Sequence, residues 1–176
     1  MSADTVRLFF ALWPPAGLAE QLAALARQIG GGRATRADTI HLTLAFLGAV
    51  PVDRLDALRA VAATIEAPAF ELHIDRLGYW AHKHLLWAGC APEPALAGLV
   101  DLLRCALQNA GFAEVDGKRQ EFFPHVTLLR KLAEKAQPGD CPQLDRWPCQ
   151  RFVLVRSRLS AAGSVYETIG EFPLHS

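Results

Sequence analysis

The tetrapeptide His-x-Thr-Leu occurs twice in this 176-residue chain, as His41-Leu-Thr43-Leu44 and as His125-Val-Thr127-Leu128, 84 positions apart. Each copy follows the same order of elements. An apolar run of strand length (Leu8 to Trp13, then Leu85 to Cys90) is followed by a helical stretch, and the tetrapeptide comes next. Strands outnumber helices, and the apolar runs are short. That combination constrains the chain to an α+β fold of two similar lobes, each a mainly antiparallel sheet with helix packed on its outer face. No linker separates the halves, so residues 1–176 are expected to form one domain.

The local signals place the elements. Pro14-Pro15 stops the first strand and opens a helix with Leu18, Leu22, Leu25 and Ile29 on one face, ended by Gly30-Gly31-Gly32. Ile40 to Leu47 is predicted as a strand closed by Gly48. A second amphipathic helix is predicted from Val52 to Glu66. Phe70 to Leu77 and His84 to Cys90 are predicted as paired strands around a turn at Gly78-Tyr79-Trp80. Pro92-Glu93-Pro94 opens a third helix through Asn109, and His125 to Arg130 is the next strand. A polar loop over 134–148 precedes two closing strands, Gln150 to Leu159 and Val165 to Phe172.

The repeated tetrapeptide carries the chemistry. In a strand, residues i and i+2 share a face. His41 and Thr43 therefore project together, as do His125 and Thr127, while Leu42, Leu44 and Phe46, or Val126 and Leu128, project into the packing layer. An imidazole and a hydroxyl on one side of an apolar strand are unfavourable in a core unless partnered. They suit a strand that lines a wet groove. Two imidazoles with ordinary pKa values near ~6.5 facing one groove can divide the work of phosphodiester chemistry, one neutral and accepting a proton, the other charged and donating one. The hydroxyls of Thr43 and Thr127 can hold phosphoryl oxygens between them. Side chains alone supply acid, base and phosphate clamp, so neither cofactor nor metal is expected.

Charge limits the partners. Lys and Arg number 18 and Asp and Glu 18, and each half of the chain is balanced. This excludes strong nonspecific binding to long nucleic acid, though not a local pocket for one phosphate. The one uneven stretch carries Arg146, Arg151, Arg156 and Arg158 with no acid after Asp145; it reads as a solvated strand face, with the rim of an RNA groove as the sharper alternative. The N-terminus lacks the layout of a secretory signal, and no apolar run approaches the ~18 residues of a membrane span. Cys90, Cys105, Cys141 and Cys149 show no C-x-x-C pairing and read as free thiols. A cytoplasmic monomer with no membrane association is expected.

The chain resembles the two-histidine (2H) phosphoesterases, and within them the LigT-like RNA 2′,3′-cyclic phosphodiesterases. The matching residues are Arg7-Leu-Phe-Phe-Ala11, His41-Leu-Thr-Leu-Ala-Phe-Leu-Gly48, Phe123-Pro-His-Val-Thr-Leu-Leu-Arg130 and the tail Ser157-x-Leu-x-x-x-Gly163-x-x-Tyr166. The resemblance implies two sheets facing a central cleft, both H-x-T motifs turned into it, and opening of a terminal cyclic phosphate to a 2′-phosphate. RNA ends or nucleoside 2′,3′-cyclic phosphates would be the partners. It also implies roles: His41 protonates the departing 3′-oxygen, His125 activates water, and Thr43 and Thr127 hold the phosphate. Ala49 stands where an acid is common, and Leu129 where a small residue is; neither touches the chemistry.

Other residues are weighed beside these. Arg130 is a candidate phosphate contact, although strict alternation puts it on the face opposite His125, so it needs a bulge or the strand's end to reach the groove. Phe9 and Phe46 are candidates for stacking a base, against a role in the core. His82-x-His84 mimics a metal pair without the accompanying ligands and reads as a surface hairpin. Four other functions compete: the reverse reaction, joining RNA through a 2′–5′ linkage; a small cyclic phosphate as substrate; a non-catalytic RNA-end binder using the arginine stretch; and a metal-dependent hydrolase using His82 and His84.

Overall fold

The computed structural model describes residues 4–112, 121–133 and 137–176. Of the polar connection expected over 134–148, residues 134–136 lie outside that range. The elements run in the order β1 (Thr5–Leu12), α1 (Ala16–Ile29), β2 (Arg33–Ala34), β3 (Leu42–Pro51), α2 (Leu55–Ala63), β4 (Phe70–Leu72), β5 (Ile74–Trp80), β6 (Leu85–Cys90), α3 (Pro94–Asn109), β7 (His125–Arg130), β8 (Trp147–Cys149), β9 (Arg151–Ser160) and β10 (Gly163–Pro173).

The strands form an α+β molecule with the two lobes expected. One lobe is β10-β9-β1-β3 and the other β7-β6-β5, with β2 added on β7. The named pairings within each lobe are antiparallel. The lobes meet edge to edge at one register pair, Leu42 opposite Val126, which joins β3 to β7. A short β4–β8 ribbon forms separately. The duplicated strand–helix–strand units are therefore related across that seam, and each H-x-T begins at it.

Each sheet face has its own packing. Leu8, Phe10 and Leu12 of β1, Leu42 and Leu44 of β3 and Val126 and Leu128 of β7 enter one continuous apolar core with the buried faces of the three helices. Truncating a fully buried leucine in such a core costs ~2–5 kcal/mol. The opposite face carries Phe9, Ala11, Val153 and Val155, against which Trp13, Phe46 and Tyr166 pack. That second face is the cleft.

Three local expectations are corrected. Gly48 does not close β3, which continues to Pro51. The register against β1 skips Leu47, and Gly48 takes φ 64°. A bulge tolerates an extra residue where a glycine can enter the left-handed region, so the strand bends there and goes on. A second skip, at Leu44, puts Phe46 opposite Phe9 on the cleft side rather than in the packing layer. Gly78-Tyr79-Trp80 is strand, paired with Leu85 to Trp87, and the turn lies beyond it at Ala81–Lys83 with His84 at φ 48°. Gly78 is needed for packing: a Cβ there would collide with the Trp87 ring, which crosses β5 at that point.

Candidate active site

The seam pair fixes how the two motifs face each other. Leu42 and Val126 point into the core, both fully buried. In an antiparallel register one step to either side of that pair, His41 stands level with Thr127 and Thr43 with His125. Each imidazole is thus beside its own threonine along the strand and across from the other's. All four side chains are half-buried, as a groove lining requires.

The same backbone device orients both rings. His41 Nδ1 lies 2.7 Å from the carbonyl of Thr39, and His125 Nδ1 lies 2.9 Å from the carbonyl of Phe123. A carbonyl only accepts, so each Nδ1 carries the hydrogen and Nε2, on the far edge of the ring, is the nitrogen left with a lone pair. His41 Nε2 accepts from the Thr43 hydroxyl at 3.1 Å. The Thr39 carbonyl is presented by a 3-10 turn, Ala37–Thr39, that follows Arg36.

Aromatic rings enclose both imidazoles. His41 has Phe9 at 4.9 Å, Tyr166 at 5.3 Å and Trp13 at 5.8 Å between ring centroids. Trp13 is pinned by its own N–H to Thr168 Oγ1 (3.0 Å) and by its carbonyl, which accepts from the buried Trp147 indole (3.1 Å). His125 has Trp80 edge-on at 4.7 Å and Phe123 at 6.2 Å. Burial in these surroundings disfavours the imidazolium. It lowers the His41 pKa to about 4, with Arg130 and His125 adding a smaller repulsion, and it lowers that of His125, assisted by Lys83 and Arg130. The carbonyl at each Nδ1 opposes the shift.

Arg130 does reach the groove. Between β6 and β7 the register steps from Trp87–Thr127 to Leu86–Leu129, skipping Leu128. This bulge reverses the alternation, buries Leu128 and Leu129 in succession, and swings Arg130 onto the Thr127 face. Arg130 lines a pocket with His41, Thr127, Thr39, Arg33, Arg36 and Tyr166. Three guanidinium groups at one pocket suit an anion. Arg36 is partly neutralised by Asp38, and it also ties the Thr39 turn to the β9–β10 hairpin through the carbonyls of Ala162 and Ser164.

Phe9 is in the wall, not at the surface. It is 3% exposed, and its ring is covered by His41 and Tyr166, which leaves no open face for a base. Phe46, on the cleft side, lies under the Arg7 guanidinium at 4.7 Å. The arginine stretch lies elsewhere: Tyr166 stands opposite Ser157, so the neighbours Arg156 and Arg158 point to the other face, and Arg146, Arg151 and Arg158 pair with Glu71, Glu171 and Glu167. It is the solvated strand face. His82 and His84 occupy the exposed turn after β5. Sequence reading assigned no role to Tyr166, Trp13, Arg33 or Arg36. The signal for the arginines was their position, the only basic residues between Arg27 and Arg54, just before His41.

Comparison with known proteins agrees with this arrangement. Residues 12–87 match the family model of LigT-like phosphoesterases. The RNA 2′,3′-cyclic phosphodiesterase of Escherichia coli K12 is 37% identical over 136 residues, covering 75% of this chain and 76% of the relative. That of Thermus thermophilus is 30% identical over 181 residues, covering 96% and 90%. The crystal structure of E. coli LigT complexed with 3′-AMP superposes with a TM-score of 0.91 at 30% identity, over 98% of this chain and 100% of that one. With two H-x-T strands meeting across a lobe seam and sequence likeness over most of its length, the chain belongs to the LigT-like family of 2H phosphoesterases.

Proposed function

We propose that the protein is an RNA 2′,3′-cyclic phosphodiesterase that opens the terminal ring to a 2′-phosphate by two-histidine acid–base catalysis. The observation that carries this reading is the seam: one register pair sets His41 level with Thr127 and Thr43 level with His125, with the same Nδ1–H tautomer on both rings, and His41 and Thr127 line a pocket with Arg130. Relatives carrying that name cover most of the chain.

The chemistry follows from the atoms. Neutral His125 takes a proton from water through Nε2, and the water oxygen attacks phosphorus. The bond from phosphorus to the 3′-oxygen breaks on the opposite side, and His41 delivers its Nε2 proton to that oxygen. The product is a 2′-phosphate with a free 3′-hydroxyl, and the protonation states of the two rings have exchanged. Thr43, Thr127 and Arg130 hold the non-bridging oxygens. In the free protein both imidazoles favour the neutral form; the negative charge of a bound phosphodiester offsets the burial and restores one proton. A low pKa makes His41, once charged, the stronger donor.

Both motifs come from one chain, so the site is complete in a monomer. Four unpaired thiols fit a reducing cytoplasm. Among the described residues, no helix is long and apolar enough to cross a membrane. The test is product analysis: metal-free protein with chelator, given an oligonucleotide ending in a 2′,3′-cyclic phosphate, should release a 2′-phosphate end. Absence of that product, or activity that survives His41→Ala or His125→Ala, overturns the assignment.

A further inference from the structure

Arg33 and Arg130 stand directly opposite each other in the β2–β7 pair. Residues so placed share a face with Cβ atoms only about 4.5–5.5 Å apart, and like charges there are destabilising. Among the described residues, neither guanidinium has a hydrogen-bond or ion-pair partner, and no carboxylate lines the pocket they share. The register is nevertheless tight. A Cβ on Gly32 would come within 2.6 Å of the Arg130 carbonyl, and Thr35 N–H donates to the Leu128 carbonyl at 2.9 Å. Arg33 reaches to the β9–β10 turn, where its Nη2 lies 2.6 Å from the place that a Cβ on Gly163 would take. Arg36 differs, because Asp38 and the carbonyls of Ala162 and Ser164 occupy its guanidinium.

Two like charges one strand apart, with no acid between them, are a cost that bound anions offset. Arg130 faces the reacting phosphate in the reaction proposed above. Arg33 extends to the hairpin side of the same pocket. With His41 serving the departing 3′-oxygen, the ribose lies on the His41 side of phosphorus, and His41 lines this pocket too. The 5′-oxygen of that ribose carries the other anionic group that an RNA chain places on its terminal nucleoside, the next phosphodiester.

Building on the proposed function, we infer that Arg33 forms a second phosphate subsite, holding the phosphodiester on the 5′ side of the terminal nucleotide while Arg130 holds the cyclic phosphate. Two phosphates on two arginines turn a repulsive pair into an alternating row of charges. The subsite selects a chain end over a lone nucleoside cyclic phosphate. It does so through backbone charge, so it is indifferent to the identity of the base.

The experiment compares two dinucleotides ending in a 2′,3′-cyclic phosphate, one with its ordinary phosphodiester linkage and one with a neutral methylphosphonate linkage. Base and ribose contacts are common to both, and a general loss of catalysis cancels from the ratio of their kcat/KM values. A hydrogen-bonded charge pair predicts that the wild type favours the charged linkage about tenfold. Arg33→Gln should bring the ratio close to one, and Arg33→Lys should retain most of the preference. Arg33 is exposed on a two-residue strand, so these variants are expected to fold. A wild-type ratio near one, or a ratio that Arg33→Gln leaves in place, overturns the subsite and leaves the phosphodiesterase standing. An equal loss on both dinucleotides does the same, because it puts Arg33 on the cyclic phosphate. Calorimetric binding of the corresponding 2′-phosphate dinucleotides decides the subsite even where no ring is opened. Tighter binding of the charged linkage that Arg33→Gln abolishes supports it, and equal binding of the two linkages overturns it.

Discussion

The two lobes repeat one device and differ in how much water they admit. In both, a histidine at the start of a seam strand donates Nδ1–H to the carbonyl two residues before it, and aromatic rings stand around the imidazole. In the first lobe those rings close over the site: Phe9 is buried, Trp13 is anchored at both ends, and Tyr166 covers the ring edge-on. In the second they lie open, and Phe123 is largely exposed. Duplication supplies two equivalent nitrogens. Unequal burial makes them chemically unequal, because removing water from an imidazole penalises its charged form.

The largest test of the comparison is removal of either imidazole. His41→Ala and His125→Ala should each lower kcat by ~10²–10⁴-fold, read as 2′-phosphate formed from a cyclic nucleotide in chelator. A loss confined to one of them would mean that the lobes are not partners in the reaction. Next come the threonines. Thr43→Val and Thr127→Val should each lower kcat/KM by roughly 10–100-fold, the range for a lost donor or hydrogen bond to a charged group. Near-equal values would extend the symmetry of the seam to the phosphate clamp.

A structural test concerns the open lobe alone. Gly78→Ala drives a methyl into the Trp87 ring and should destabilise the protein by ~1–3 kcal/mol, measured by denaturant unfolding. Gly98→Ala, inside α3 with nothing within 4 Å, should go the other way and stabilise by ~0.5–1 kcal/mol, the ordinary gain of alanine over glycine in a helix.

The smallest effect is in pH dependence. A pair in which one ring must be neutral and the other charged gives a bell-shaped kcat/KM, reporting the free enzyme. Both pKa values lie below 6.5, that of His41 near 4. The bell should therefore be centred below pH 6.5, falling on the acid side as the second ring gains a proton and on the alkaline side as the first loses its own. Tyr166→Ala, which opens the covered lobe, should move the acid limb upward by up to about one unit (~1.4 kcal/mol); a limb that stays in place would remove burial as the source of the asymmetry.

Much of this was legible from the residues. The boundaries of β7, His125 to Arg130, are those expected, and α1 and α3 lie where proline and glycine punctuation put them. Period-2 alternation held for His41 with Thr43 and for His125 with Thr127. It failed beyond them, at Phe46 and Arg130, because a bulge inserts one residue into one strand of a pair and nothing in the strand's own sequence announces which partner it will skip. Phe9 was equally ambiguous: a phenylalanine in an apolar strand reads the same whether its ring is covered or open.

The residues by themselves determined the inventory of the candidate site. A paired H-x-T on two strands, each after a strand–helix unit, already implies two imidazoles and two hydroxyls on like faces, since alternation is a local property of extended backbone. What only the tertiary structure decided was everything that depends on partners far along the chain. The Leu42–Val126 pair brings the motifs together, the Leu128 bulge recruits Arg130, and the differing burial of Phe9 and Phe123 sets one imidazole apart from the other. Register, bulges and solvent access are set by what packs alongside a strand, and that information lies in no single segment.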